Sequence, residues 1–122
     1  RYQDALWSIA RDQRFIHYKC DGYAPSLSWL AKWDHEPTEK PMGTSVYSFA
    51  MAPGSPVDSD LCKWVVSSYF ISADPRGGTK VGLKHYGLNP SGLYESTEPI
   101  KATLTGPPPP GATKVTQPSY SY

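Results

Sequence analysis

Proline and glycine set the first limit on this chain. Thirteen prolines and ten glycines stand among its 122 residues. Proline lacks an amide donor and glycine loses the most freedom on ordering, so both interrupt regular structure. Loops must be plentiful, and whatever strands or helices form must fit between them. Only 39% of residues are apolar, yet a chain of this length can still bury one domain-sized core. Nine tyrosines and four tryptophans outnumber three phenylalanines. These are rings with a polar handle, suited to half-buried strands and to recognition surfaces.

Twelve basic residues against eleven acidic ones leave a net charge of +1, and the basic ones are scattered. A nucleic-acid binder ordinarily shows a basic stripe that neutralises phosphates, so nucleic acid is not the expected partner. No apolar run approaches the roughly 20 residues that span a bilayer, and no membrane insertion is expected. With no initial Met and no charged-then-apolar leader, the chain reads as a mature or trimmed product.

Hydrophobic periodicity divides the chain. Leu6, Ile9 and Ala10 recur at helical spacing, predicting a short helix within residues 1–13 that Asp12-Gln13 ends. Arg14 to Cys20 is aromatic and β-branched and runs into Asp21-Gly22, which reads as a strand and a turn. Ser26 to Trp33 alternates and reads as a second strand, and Ser45 to Met51 as a third. Leu61 to Ala73 is the most apolar stretch and the expected central strand, with Thr79 to Tyr86 as its hairpin partner. Tyr94 to Leu104 adds a short edge strand. Gly106 to Tyr122, with its run Pro107 to Pro110, has no periodicity and reads as a polyproline stretch and flexible tail. The expectation is a mainly β fold, a small antiparallel β-sandwich or barrel-like sheet, with a helical extension at residues 1–13, a β domain at 14–105 and a disordered Pro-rich tail at 106–122.

Few residues suggest chemistry. His35, Glu36, His85 and Arg76 are the types a small ribonuclease needs as acid, base and phosphate-binding cation. His35 and Glu36 lie in a charged, proline-flanked loop, however, without a rigid element to hold them. Ser67-Ser68 lacks a nucleophile elbow. Asp58-Ser59-Asp60 lacks the rest of a calcium loop and reads as a cap. Gly77-Gly78 is a hairpin loop, and Asn89-Pro90-Ser91 has a proline that blocks glycosylation. No catalytic residue, metal or cofactor is expected.

Cys20 and Cys62 are the only cysteines. In an oxidising compartment they would pair, closing a loop of about 40 residues worth roughly 3–4 kcal/mol. In the cytosol they would be two buried thiols. A loop-rich small domain gains most from the staple, which favours pairing.

Arg14-Phe15-Ile16-His17-Tyr18-Lys19-Cys20-Asp21-Gly22 resembles the first strand and turn of MAX effectors, small secreted virulence proteins of plant-pathogenic fungi. Cys62, before an apolar stretch, fits the position of that family's second cysteine. The resemblance covers about half the chain, Phe15 to Ile71. Residues before Phe15 and after Ala73 exceed the family's six-stranded sandwich. Tyr18-Lys19-Cys20 also resembles the Tyr-x-Cys motif of ribonuclease-like powdery-mildew effectors, whose partner cysteine lies nearer the C-terminus. The first resemblance implies a secreted virulence effector that enters host tissue and binds a host plant protein, an immune receptor or its integrated domain among the candidates. It would act as a monomer, without catalysis, through strand edges and surface aromatics. The edges expected to do so are Phe15 to Lys19 and Ser45 to Met51, with Phe15, His17, Lys19, Ser45, Tyr47 and Phe49 as contact residues. The alternatives are a ribonuclease-like hydrolase or RNA-binding pseudo-enzyme, and a carbohydrate-binding sandwich using Trp7, Trp29, Trp33 and Trp64.

Overall fold

The computed structural model describes residues 2–33, 47–77, 83–106 and 111–116. Helix α1 (Tyr2–Cys20) lies across one face of an antiparallel sheet, and a short helix α2 (Leu27–Trp33) follows it. The sheet contains β1 (Tyr47–Pro53), β2 (Tyr69–Pro75), β3 (His85–Asn89), β4 (Gly92–Ser96) and β5 (Thr113–Lys114), and every strand neighbours the next in sequence. The fold is mainly β, as expected. The expected sandwich or barrel is instead a single open sheet with one helical layer.

The segment from Phe15 to Lys19 was expected to be a strand and is helix. Leu6, Ile9, Gln13, Ile16 and Cys20 recur three and four residues apart, and all five are buried. That stripe runs unbroken through residues 13 and 14, where a boundary between extension and β domain was expected. Asp12-Gln13 does not stop the helix because Gln13 has partners inside. Its Nε2 donates to the Ala24 carbonyl at 3.2 Å, and its Oε1 accepts from the Ala24 amide at 2.8 Å. The β propensity of Phe15, Ile16 and Tyr18 yields to this longer period. The helix ends at Asp21-Gly22, the turn expected to close a strand. Asp21 takes φ 57° and donates its amide to the His17 carbonyl at 2.9 Å. Gly22 follows where a Cβ would lie 2.7 Å from Val65.

Ser26 to Trp33 is also helix rather than strand. The Ser26 hydroxyl accepts from the Trp29 amide at 3.1 Å, which makes it an N-cap whose signal outweighs the short alternation after it. The expected central strand begins only at Tyr69. Before it, Asp58 to Trp64 forms the irregular tip of the β1–β2 hairpin, closed below by Val57 donating to the Val65 carbonyl at 2.9 Å and by Gly54 donating to Ser68 at 2.8 Å.

Tyr47, Tyr69, Ile71, Ala73, Tyr86, Leu88 and Leu93 form the sheet's side of the core, against Leu6, Ile9 and Ile16 of α1. Each such side chain contributes about 1.5–3 kcal/mol when fully buried. The other face is partly covered by residues 97–106. Gly87 lets the Phe70 ring and Ile100 close over it, since a Cβ there would stand 2.7 Å from the ring. Asn89 holds the segment, donating to the Thr103 carbonyl at 2.8 Å and the Gly106 carbonyl at 3.0 Å.

The tail was expected to be structureless, yet Thr113–Lys114 pairs with β4 and the Val115 amide donates to Leu93 at 2.8 Å. Val115 also packs against the core. Residues 107–110 and 117–122 of that expectation lie outside the described residues.

Two outcomes check this packing. Gln13→Ala leaves the Ala24 amide and carbonyl buried without partners, and should lower unfolding free energy by about 2–4 kcal/mol in urea titration; a loss below ~0.5 kcal/mol would show that water replaces the amide. Truncation after Thr105 removes β5 and Val115, and should cost about 1–2 kcal/mol, or roughly 4 °C or more in Tm. Truncation after Thr116 should leave Tm unchanged. Equal melting of both truncated chains would mean that β5 adds no stability.

Candidate functional site

Among the described residues most large apolar side chains are packed, which singles out four that are not. Phe15 is 55% exposed, Tyr18 87%, Leu61 75% and Trp64 78%. Leu61 and Trp64 flank Cys62 in the hairpin tip, and Phe15 and Tyr18 lie on the outer face of the last turns of α1, which one cross-link joins to that tip. Cys20 at the end of α1 is disulfide-bonded to Cys62 in the β1–β2 hairpin tip, with Cα atoms 5.3 Å apart at a sequence separation of 42. The pairing expected from composition is thus present, and it joins two elements that carry exposed rings.

Local bonds hold this corner in shape. The Ser59 hydroxyl donates to the Cys20 carbonyl at 2.7 Å and accepts from the Leu61 and Cys62 amides at 3.2 and 3.3 Å. Ser59 is therefore a cap, as its surroundings in sequence suggested. Trp64 has φ 71°, a left-handed backbone that a bulky residue adopts only at a cost of roughly 1–2 kcal/mol. Val65 and Val66, immediately after it, are buried. The chain thus turns its tryptophan outward while sending the next two residues into the protein. On α1, Phe15, Tyr18 and Lys19 share the outer face, and the Lys19 ammonium sits 5.5 Å from the Phe15 ring centroid.

Of the expected contact residues, Phe15 and Lys19 belong to this corner, but as helix residues. They offer no strand edge, because the backbone donors and acceptors of a helix are spent within it. His17, two positions from Phe15, points roughly 200° away from it around the helix and stacks on Tyr23 with centroids 4.6 Å apart. Ser45 lies outside the described residues. Tyr47 is buried in the core, and its hydroxyl donates to the Lys84 carbonyl at 2.7 Å. Phe49 is half-buried on the same side. β1 nevertheless is an edge: among the described residues it pairs only with β2. It carries no charged residue, and it exposes Ser48 and Ala50 on the face away from α1.

That second face bears a pair with acid–base character. His85 Nδ1 lies 2.6 Å from Asp74 Oδ1, an interaction between adjacent strands. Ser48 stands opposite Asp74 and Ser96 opposite His85, so a polar row crosses four strands. The next row, Ala50, Ser72 and Gly87, is small, and the Phe70 ring and Ile100 close over its Gly87 end. Arg76 Nε donates to the Tyr47 carbonyl at 3.3 Å, so this cation does not stand free beside His85. His35 and Glu36 lie outside the described residues. No group of three metal-ligating side chains occurs among those described. Trp7 and Trp29 are partly buried against the core, so they make no exposed row with Trp64, and the Trp33 side chain lies outside the described residues.

Sequence reasoning missed Tyr18 and Leu61 as surface residues because each was assigned to a strand, and it named Trp64 only as one of four tryptophans of the carbohydrate-binding alternative. The signal available was Ser59 between two aspartates, a cap that places a loop rather than a strand after it. No family model, no curated protein and no solved structure matches this chain, so the site rests on its own geometry.

Proposed function

We propose that the chain is a non-catalytic recognition protein whose partner is another protein, bound on the disulfide-pinned corner. The observation that carries this reading is Trp64, exposed yet held in a strained backbone on the hairpin tip with exposed Leu61, the tip being joined by the disulfide to the helix end that exposes Phe15 and Tyr18. Tryptophan and tyrosine are over-represented among residues that dominate interface energetics. Strain at a bulky exposed residue marks a position whose shape serves something other than stability. The uncharged β1 edge supplies a second contact, able to add an extended segment of the partner to the sheet. The setting that fits is a secreted effector of a plant-pathogenic fungus acting on a host plant protein. The support is the sequence resemblance and the disulfide, which persists best in an oxidising compartment.

Trp64→Gly separates function from stability. Glycine relieves the left-handed strain and Trp64 has little packing to lose, so unfolding free energy should stay level or rise by up to about 1 kcal/mol. Capture of the partner from host plant extract should fall at least tenfold, as should capture by Tyr18→Ala. Unchanged capture by both variants, with the fold intact, would remove the corner from the function.

The His85–Asp74 pair favours a second reading, a ribonuclease-like hydrolase. A carboxylate on Nδ1 orients the imidazole so that Nε2 can exchange a proton with substrate. In that case purified protein cleaves RNA, and His85→Ala lowers the rate by two orders of magnitude or more. Cleavage equal in the wild type and His85→Ala would be contamination or another site.

A further inference from the structure

A pocket of about 100 Å³ lies between α1 and the β3–β4 turn, apart from both the corner and the His85 row. One wall is a single stripe of the helix: Trp7, Ala10, Arg14 and His17 recur three and four residues apart. The opposite wall is Tyr23, Tyr69 and the turn after Leu88. The aromatic wall is braced. Tyr23 stacks on His17 and meets Tyr69 edge-on, with centroids 5.1 Å apart.

We infer that this pocket binds a tetrahedral oxyanion, phosphate or sulfate, either free or as the end of a monoester. The first argument is the donor set. Arg14 and the Trp7 indole can only donate, and no Asp or Glu is among the described lining residues. The second is an unmet donor. Trp7 Nε1 is buried without a hydrogen-bond partner, a condition native proteins rarely leave unanswered. Asn89 cannot answer it. Its Nδ2 is bonded to Thr103 and Gly106, and its Oδ1 accepts from the Ser91 amide and hydroxyl at 2.9 and 2.7 Å.

The Tyr23 and Tyr69 phenols line the pocket and are protonated at neutral pH, as an unperturbed phenol is, and burial raises both pKa values further. Size sets the ligand class. The volume accommodates one small tetrahedral group.

The test is a titration of the full chain with sodium phosphate at constant ionic strength, balanced by chloride, followed by the indole N–H resonances. Trp7→Phe identifies the Trp7 signal and keeps the ring's bulk. The Trp7 resonance should move downfield and saturate. Arg14→Gln, at an exposed helical position, should weaken binding at least tenfold without altering Tm. O-phosphoserine forms the second arm: tighter binding than inorganic phosphate identifies a phosphorylated partner as the source, and equal binding identifies the free anion. A Trp7 signal that stays still or drifts without saturating in both arms overturns the inference. So does Arg14→Gln binding as well as the wild type.

Discussion

The paired bonds between the Gln13 amide and the Ala24 backbone tie α1 to everything that follows. Ala24 is the residue after Tyr23, and Tyr23 exchanges hydrogen bonds of 2.8 and 2.9 Å with Val66. Val66 leads within three residues into β2, an inner strand of the sheet. A continuous line of buried polar contacts thus runs from the middle of the helix to the middle of the sheet. The disulfide runs beside it from the helix end to the hairpin tip. Apolar packing alone would let the helix slide along its own axis at little cost, because one Leu or Ile can replace another in a groove. A side-chain amide that must meet both groups of one peptide residue cannot slide.

Much of the sheet was legible from sequence, and the reasons are local. Tyr47 to Met51 alternates, Asp74-Pro75 ends a strand, and Asn89-Pro90-Ser91-Gly92 makes a tight turn in which Asn89 bonds the Ser91 amide. Each of those signals completes itself within a few residues. What was illegible depended on distant partners. Gln13 looks like a helix breaker beside Asp12 until Ala24 is brought to it. Phe15 to Cys20 satisfies a strand's alternation and a helix's period together, and only the burial of Leu6, Ile9 and Gln13 on the same line decides between them. Val115 looked idle because Leu93, which it pairs with, lies over twenty residues back.

The candidate surfaces differed in the same way. Phe15 and Lys19 were recognised as contact residues for a reason that does not hold, a strand edge, and remain exposed for another, the outer face of a helix. Tyr47 was read from strand parity as outward, but parity fixes only which residues share a face. It does not say which face α1 will cover. Trp64 was named only as one of four tryptophans that could stack on a sugar, and pattern could not single it out, since its distinction is a backbone angle.

The strand order adds a consequence for how the chain is made. Each strand lies beside its predecessor, so hairpins can form one after another as the polypeptide emerges, without waiting for a distant segment. The helix is the exception. It is synthesised first, and its apolar stripe stays unsheltered until Tyr69 and the strands after it arrive. Cys62 emerges before β2 does, so α1 can be tethered to the nascent hairpin while the surface it will cover is still in the synthesising machinery. Oxidation at that moment would turn the search of α1 for its sheet into a search on a short leash.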